Sequence, residues 1–472
     1  MKNRIFVGAL ALLGLMLCAG CSHHHKDSTT TGKVRLVNAT KASGLTMAVT
    51  NSASDSTAVT VATGVSAGGS SSYTAVTTGT SSIVVSGGSL ATSSTAGISI
   101  NQDYYYTIIA YERNGAINLM SFSDGTSGQT APATGYAVLS IVNPAPDAGP
   151  LDVYLVTPGT VVDDTVTPKY TNVPSSGSAQ AISIAAGTYD VIVTAYNKPA
   201  DVRFKWPALS LADQSQGILL LTNTDGGPLV NGVLVKRDIT TTSGGAVTVT
   251  PNTNARIRLV GAFSGLYRLD YNNGLTGNAL VNDSVITNGI GANAYKVVPA
   301  GTTIQSVSVT ASGSSAVNAV LGTAVTGAAL VAGNEYTLLV YGDIAAPSVQ
   351  LIEDNNQAPT AARIRLINVL SWPGNNAFNV VSLYNSSVQL FPSPVGFEQT
   401  SPYAGLTTGI SHLNAQVEAL SNPFVTIQDG KNIALGGVYT LVMGGTSVAN
   451  SVASPYTTYK LILDRCLPNF TC

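Results

Sequence analysis

The sequence predicts an all-β chain of tandem immunoglobulin-like β-sandwich domains, and three observations carry that expectation. A strand-like stretch recurs four times at domain-sized intervals. A tyrosine following a tight turn heads a late strand in most of the copies. Past residue 21, no run of apolar residues has helical spacing.

The recurring stretch is clearest in Ala362-Arg363-Ile364-Arg365-Leu366-Ile367-Asn368. Its echoes are Lys33 to Asn38, Val138 to Asn143 and Ala255 to Gly261; aligned on Arg35, Ser140, Arg258 and Arg365, they lie 105, 118 and 107 residues apart. Arginine alternates with Ile and Leu, the period of two of a half-buried strand, which places Ile364 and Leu366 inward and Arg363 and Arg365 outward. The expected organisation is a segment 1–20, a tether 21–32, and β-sandwich repeats at 33–126, 136–239, 255–354 and 362–472. Charged residues are only 10% of the 472 and glycines number 47, as suits short strands joined by tight turns. A hydrophobic fraction of 44%, with Val and Ile in strand-length runs, argues against disorder throughout.

Lys2 and Arg4 precede the apolar run Ile5 to Leu17, which has the length of a signal-peptide core and falls short of a membrane span. The run ends at Leu17-Cys18-Ala19-Gly20-Cys21, which resembles the processing site of a bacterial lipoprotein precursor. That resemblance implies cleavage between Gly20 and Cys21, lipid acyl chains such as palmitate on Cys21, and a membrane partner through that lipid. Ser22 beside the lipidated cysteine resembles the sorting signal for the outer membrane. His23-His24-His25 sits in a flexible spacer and is not read as a metal site. Beyond the first twenty residues, 20 Lys and Arg face 24 Asp and Glu, so no basic field is available for nucleic acid.

Tyr73, Tyr170, Tyr295 and Tyr403 follow the aligned first-strand positions by 38, 30, 37 and 38 residues and set a second register mark. Late in three repeats come Tyr104-Tyr105-Tyr106, Glu335-Tyr336 and Val438-Tyr439, the pattern of a tyrosine corner, with the ring in the core and the hydroxyl on an upstream backbone group. Repeat 2 has Gly217 there and offers Tyr189 one hairpin earlier. If Tyr104 and Tyr106 point inward, Tyr105 points out. The Pro/Gly/Ser/Thr stretches Thr126–Gly135, Thr240–Asn254 and Asn355–Ala361 read as linkers between beads, so a fragment from Ala255 to Asp354 is expected to fold alone, with cleavage concentrated in the linkers.

Within repeat 2, Ser140 to Tyr154, with its Pro146-Asp147-Ala148-Gly149-Pro150 loop, followed by Ala186 to Val193, is similar to the bacterial envelope domain of unknown function 4397. The similarity is best over Tyr136 to Asp238. It implies an exported, repeated β domain and lends no catalytic residue.

The chemistry-bearing residues are few. His412 is the only histidine outside the tether, in an alternating strand, and is read as an ordinary half-exposed side chain. Asp163-Asp164 reads as a surface turn, and Asp147 and Asp152 as turn and strand-edge residues in preference to calcium ligands. Trp206 and Trp372 read as core or hairpin residues. Cys466 and Cys472 are expected to form a disulfide, because exported thiols pair in an oxidising compartment and five intervening residues permit the loop. No catalytic residue, metal or cofactor is expected. The reading is a lipid-anchored outer-membrane protein, facing the periplasm or the cell surface, that displays its domains to an unidentified protein or glycan. The alternatives are a carbohydrate-active or other hydrolase using loop carboxylates such as Asp147 or Asp164, and a non-catalytic component of a larger envelope assembly.

Overall fold

The computed structural model describes residues 30–465 apart from 53–56, 114, 127–129, 176–179, 238–244, 264–266, 273–278, 287–288, 304–305, 312–317, 321–328, 358, 372–379, 418–423 and 447–457. Gly20, Cys21, the three adjacent histidines, Trp372, Cys466 and Cys472 therefore lie outside the described residues.

Repeat 1 sets the pattern. Its strands are β1 (Thr31–Ala39), β2 (Leu45–Asn51), β3 (Val59–Val65), β4 (Thr74–Thr77), β5 (Gly79–Ser86), β6 (Ser93–Ile100), β7 (Tyr104–Arg113) and β8 (Ala116–Thr126). They form two sheets, in the orders β4-β1-β7-β8 and β3-β2-β5-β6. The first strand lies parallel to β7, with Arg35 opposite Thr107, and antiparallel to β4, with Val34 opposite Thr74. The same two orders recur in the other repeats, where Tyr136–Val142, Asn254–Phe263 and Ala362–Ser371 take the place of β1. The architecture is the expected tandem β-sandwich. Its eight strands divide four and four, whereas the immunoglobulin constant arrangement sets four strands on three.

Alternation along the first strand divides its side chains between two environments. Val34 and Leu36 enter the core of repeat 1, Ile257 and Leu259 that of repeat 3, and Ile364 and Leu366 that of repeat 4. Trp206 packs in the core of repeat 2, edge-on to Phe204 at 6.4 Å. The corner tyrosines behave as expected: Tyr106, Tyr336 and Tyr439 are buried, and each hydroxyl accepts the backbone N–H five residues upstream, from Asn101, Val331 and Ala434, at 3.1 Å. In repeat 2, Tyr189 instead donates to the Ala185 carbonyl at 2.8 Å, on an exposed hairpin.

The outward face of the first strand differs from the expectation. Arg35, Arg258 and Arg365 do point away from their own cores, yet they are 0%, 3% and 2% exposed. Other repeats cover them. Val37, Ile109 and Phe122 of repeat 1 pack with Val142, Leu220 and Val235 of repeat 2; Val260, Leu339 and Tyr341 of repeat 3 pack with Ile367, Val369 and Val442 of repeat 4. The sandwiches are thus joined face to face in two pairs. Tyr105 follows the same logic, pointing outward yet buried, edge-on to Tyr73 at 4.8 Å and beneath Lys33.

Two of the supposed linkers are also built into the packed body. Val247–Thr250 adds a fifth strand to the edge of the first sheet of repeat 2. Asn356 is 1% exposed: its backbone N–H bonds the Gly226 carbonyl, and its amide donates to Glu335 at 2.5 Å and to the Tyr295 hydroxyl at 2.9 Å.

Candidate functional site

The buried arginines belong to a repeated quartet. In repeat 1, Arg35 Nε donates to the Thr107 hydroxyl at 2.8 Å, Thr107 donates to Asp124, and the Tyr73 hydroxyl donates to Asp124 at 2.9 Å. Repeat 3 repeats it with Arg258, Thr337, Asp354 and Tyr295, and repeat 4 with Arg365, Thr440 and Asp464. The tyrosine ring lies under the guanidinium: Arg35 over Tyr73 at 4.9 Å, Arg258 over Tyr295 at 4.8 Å and Arg365 over Tyr403 at 5.2 Å, a geometry favoured by the ring quadrupole.

Each aspartate then receives an arginine from another repeat. Arg258 of repeat 3 pairs with Asp464 of repeat 4 at 2.6 Å, and Arg365 of repeat 4 returns the contact to Asp354 of repeat 3. Asp124 of repeat 1 takes Arg237 of repeat 2 at 3.0 Å. Repeat 2 lacks the quartet as a unit: Ser140 stands where Arg35 does, Ala181 is opposite it where the tyrosine would be, and Ile218 replaces the threonine. Tyr170, grouped by spacing with Tyr73, Tyr295 and Tyr403, is not their counterpart. It lies on Tyr170–Val173, a strand of the other sheet, with its ring in the core and its hydroxyl on the Leu139 carbonyl.

Beside this network, repeats 2, 3 and 4 enclose a cleft of about 990 Å³. Repeat 2 contributes the Asp163-Asp164 turn and Asn197 to Arg203, repeat 3 contributes Arg256, Arg258 and Ala292 to Val297, and repeat 4 contributes Lys460 to Asp464. Arg203, Arg256 and Arg258, 9%, 8% and 3% exposed, line it. They are anchored by Asp201 at 2.6 Å, Glu335 and Asp464 respectively. Four guanidinium positions have no hydrogen-bond acceptor among the described residues: Nε and Nη1 of Arg203, Nε of Arg256 and Nη2 of Arg258. The Asn293 amide Nδ2, also on the cleft wall, has none either. Burial, and then the neighbouring Arg256 charge, bring Arg203 down to about 10.

The two reciprocal aspartates are not equivalent. Burial pushes the Asp464 carboxyl above its ordinary value, against the pull of Arg258 and Arg365. At Asp354 the same burial is outweighed by Arg365 and Arg258, with hydroxyls of Thr337 and Tyr295 helping, so its carboxyl is held low. The neighbouring Asp354 charge raises Asp464 further, and the donors differ as well. Tyr295 reaches Asp354, whereas the Tyr403 hydroxyl has no partner among the described residues.

The residues singled out in the sequence fall in different places. Asp163 sits exposed on the cleft rim, its carboxylate accepting the Thr165 N–H and hydroxyl, which hold it below the usual range. Asp147 is buried in the short 3-10 turn Pro146–Ala148, held by Asn223 and lying 3.4 Å from Arg465 of repeat 4. Asp152 ties loops together through Thr171 and the backbone of Asn172 and Asn197. His412 is exposed on Gly409–Val417, in the second sheet of repeat 4. Among the described residues, no group of three or more His, Cys, Asp or Glu is arranged to hold a metal ion.

Fold and site together define a protein of tandem β-sandwiches locked by buried inter-repeat ion pairs. Residues 31–154 match the model of a family described as a domain of unknown function, DUF4397. The family resemblance read from the sequence holds, but its place differs: the match covers repeat 1 and only the start of repeat 2, through the Pro146–Pro150 loop to Tyr154, and not the rest of Tyr136 to Asp238, where the similarity was expected to be best. No curated protein matches the chain. Among solved structures, the chain is similar to a candidate cell adhesion protein from Bacteroides uniformis (12% identity, 47% of this chain and 99% of that one, TM-score 0.20) and to another from Bacteroides eggerthii (16%, 48% and 97%, TM-score 0.22). It also aligns with the TIE protein of Bacillus anthracis (10%, 86% and 68%, TM-score 0.12). At these scores no conclusion about this chain rests on the likeness.

Proposed function

We propose that the chain is a non-catalytic binding protein of the bacterial envelope, held at the outer membrane by lipid on Cys21, whose repeats assemble into one body that presents a composite cleft. The observation that carries this reading is that three repeats build the cleft while the reciprocal pairs Arg258–Asp464 and Arg365–Asp354 fix repeats 3 and 4 against each other. Preorganised walls lower the ordering cost of binding, which is what a display protein requires. The buried carboxylates Asp147, Asp152 and Asp354 are each engaged by protein donors, as groups with a structural task are. A disulfide between Cys466 and Cys472 would fasten the segment that follows the last strand.

The test combines surface display and binding. Proteolysis of intact cells reports the side the repeats face, mass spectrometry reports acyl groups on Cys21, and the purified chain is screened for glycan and protein binding alongside hydrolysis. Binding without turnover is the expected result. Turnover that disappears in Asp164→Asn would replace this reading with the hydrolase.

A further inference from the structure

Resting on the reading of the cleft as a binding site, we infer that its ligand is an acidic polysaccharide, recognised through a ring carboxylate set against Arg203, Arg256 and Arg258. A buried N–H without an acceptor costs about 1–3 kcal/mol, more when the group is charged. Four such guanidinium positions on three side chains at one cleft are a concentration of donors without an acceptor among the described residues. After burial, the nearby Arg256 charge is the next largest influence disfavouring the charge of Arg203, and the two guanidinium groups share one wall. An anion placed between them relieves both costs at once.

The surroundings select the kind of anion. Planar guanidinium groups match carboxylate and phosphate alike. Asp163, Asp164 and Asp201 also line the cleft, and they repel a dianionic phosphate more strongly than a monoanionic carboxylate. Those same acids accept hydroxyl hydrogens, and the amides of Asn197 and Asn293 bond hydroxyls at the perimeter. A uronic acid offers one carboxylate and several hydroxyls on a single ring, and a polymer of them continues along an open cleft shared by three repeats. An acidic peptide shares the carboxylates but offers few hydroxyls to these acids and amides. Because Val162, Val297 and Leu461 to Leu463 also line the cleft, poly-glutamate serves as the competing probe.

The experiment uses the purified mature chain and four probes: polygalacturonate, the same polymer with its carboxyls reduced to alcohols, poly-glutamate, and inorganic phosphate. The expected result is saturable binding of polygalacturonate, weakened about tenfold or more for the reduced polymer and in Arg203→Gln, the loss of one charge-assisted hydrogen bond. Lys460→Gln, on the rim and away from the interlocked pairs, serves as a second variant and is expected to weaken binding and flatten its salt dependence while the melting temperature stays unchanged. Equal binding of the native and reduced polymers overturns the carboxylate inference and leaves the binding reading standing. Preference for poly-glutamate overturns the polysaccharide assignment and preference for phosphate the carboxylate one, the binding reading standing in either case. Absence of binding to these probes together with absence of binding in the broad glycan and protein screen overturns both.

Discussion

The pair formed by repeats 3 and 4 and the pair formed by repeats 1 and 2 solve one packing problem with different symmetry. In the first, both partners carry the four residues, with Tyr295 but not Tyr403 bonded to its aspartate among the described residues, and each arginine reaches the other repeat's aspartate. In the second, only repeat 1 carries it; Arg237, just past the strand Val230–Lys236 of repeat 2, supplies the cation for Asp124, while Arg35 donates across to the Lys236 carbonyl at 3.3 Å. The apolar half of each interface is retained. What is preserved is one foreign arginine for each quartet aspartate, and the strand that provides it is free to change. Electrostatics demands this, since a buried carboxylate without a counter-charge is far costlier than one paired from any direction.

The largest way to break the comparison is to remove one arginine of the symmetric pair. Arg365→Ala leaves Asp354 buried without its main counter-charge and is expected to cost about 3–5 kcal/mol in chemical unfolding. Arg237→Ala, at a side chain 13% exposed whose aspartate keeps Tyr73 and Thr107, should cost about 1–3 kcal/mol. Equal losses would erase the distinction between the pairs.

Acid sharpens the comparison within the symmetric pair. Asp354 is held below its unfolded value, so its contribution is present above that value and is lost as pH falls through its lower folded one. Asp464 is raised, so its ionised form costs stability at neutral pH and acidification through its folded value relieves that cost. Asp354→Asn is therefore expected to lower stability at pH 7 and flatten the acid limb of a pH titration of unfolding. Asp464→Asn should be much milder at pH 7. The reverse order would contradict the assignment of roles. The smallest effect separates the two tyrosines: Tyr295→Phe should cost about 1–2 kcal/mol for the bond to Asp354, and Tyr403→Phe, whose hydroxyl has no partner among the described residues, close to nothing.

Much of each sandwich was legible in the sequence because it depends on short-range patterns. Period-two alternation placed Ile364 and Leu366 in the core, and a tyrosine after a turn placed Tyr106, Tyr336 and Tyr439. The buried outer face had a signal that alternation alone did not reveal. At the same parity as Arg363 and Arg365 come Ile367 and Val369, and after Arg256 and Arg258 come Val260 and Ala262, so half of the outward row is apolar and needs a cover. Tyr170 falls outside the quartet because its spacing of 30 residues, against 37 or 38, marks a different strand. The cleft was not legible. Arg203, Arg256 and Asp464 come from three repeats, and only the docking of sheet faces, together with Arg465 reaching Pro146 and Asn356, brings them together.

Repeats 3 and 4 are expected to form one cooperative unit through their outer sheet faces. The unfolding of a fragment spanning residues 251–472, compared with that of residues 251–356 alone, reports this directly. A single transition is expected for the longer fragment, and for the shorter one a marked loss of stability with exposed apolar surface that binds a hydrophobic dye. A single repeat as stable as the pair, with two independent transitions in the longer fragment, would contradict it.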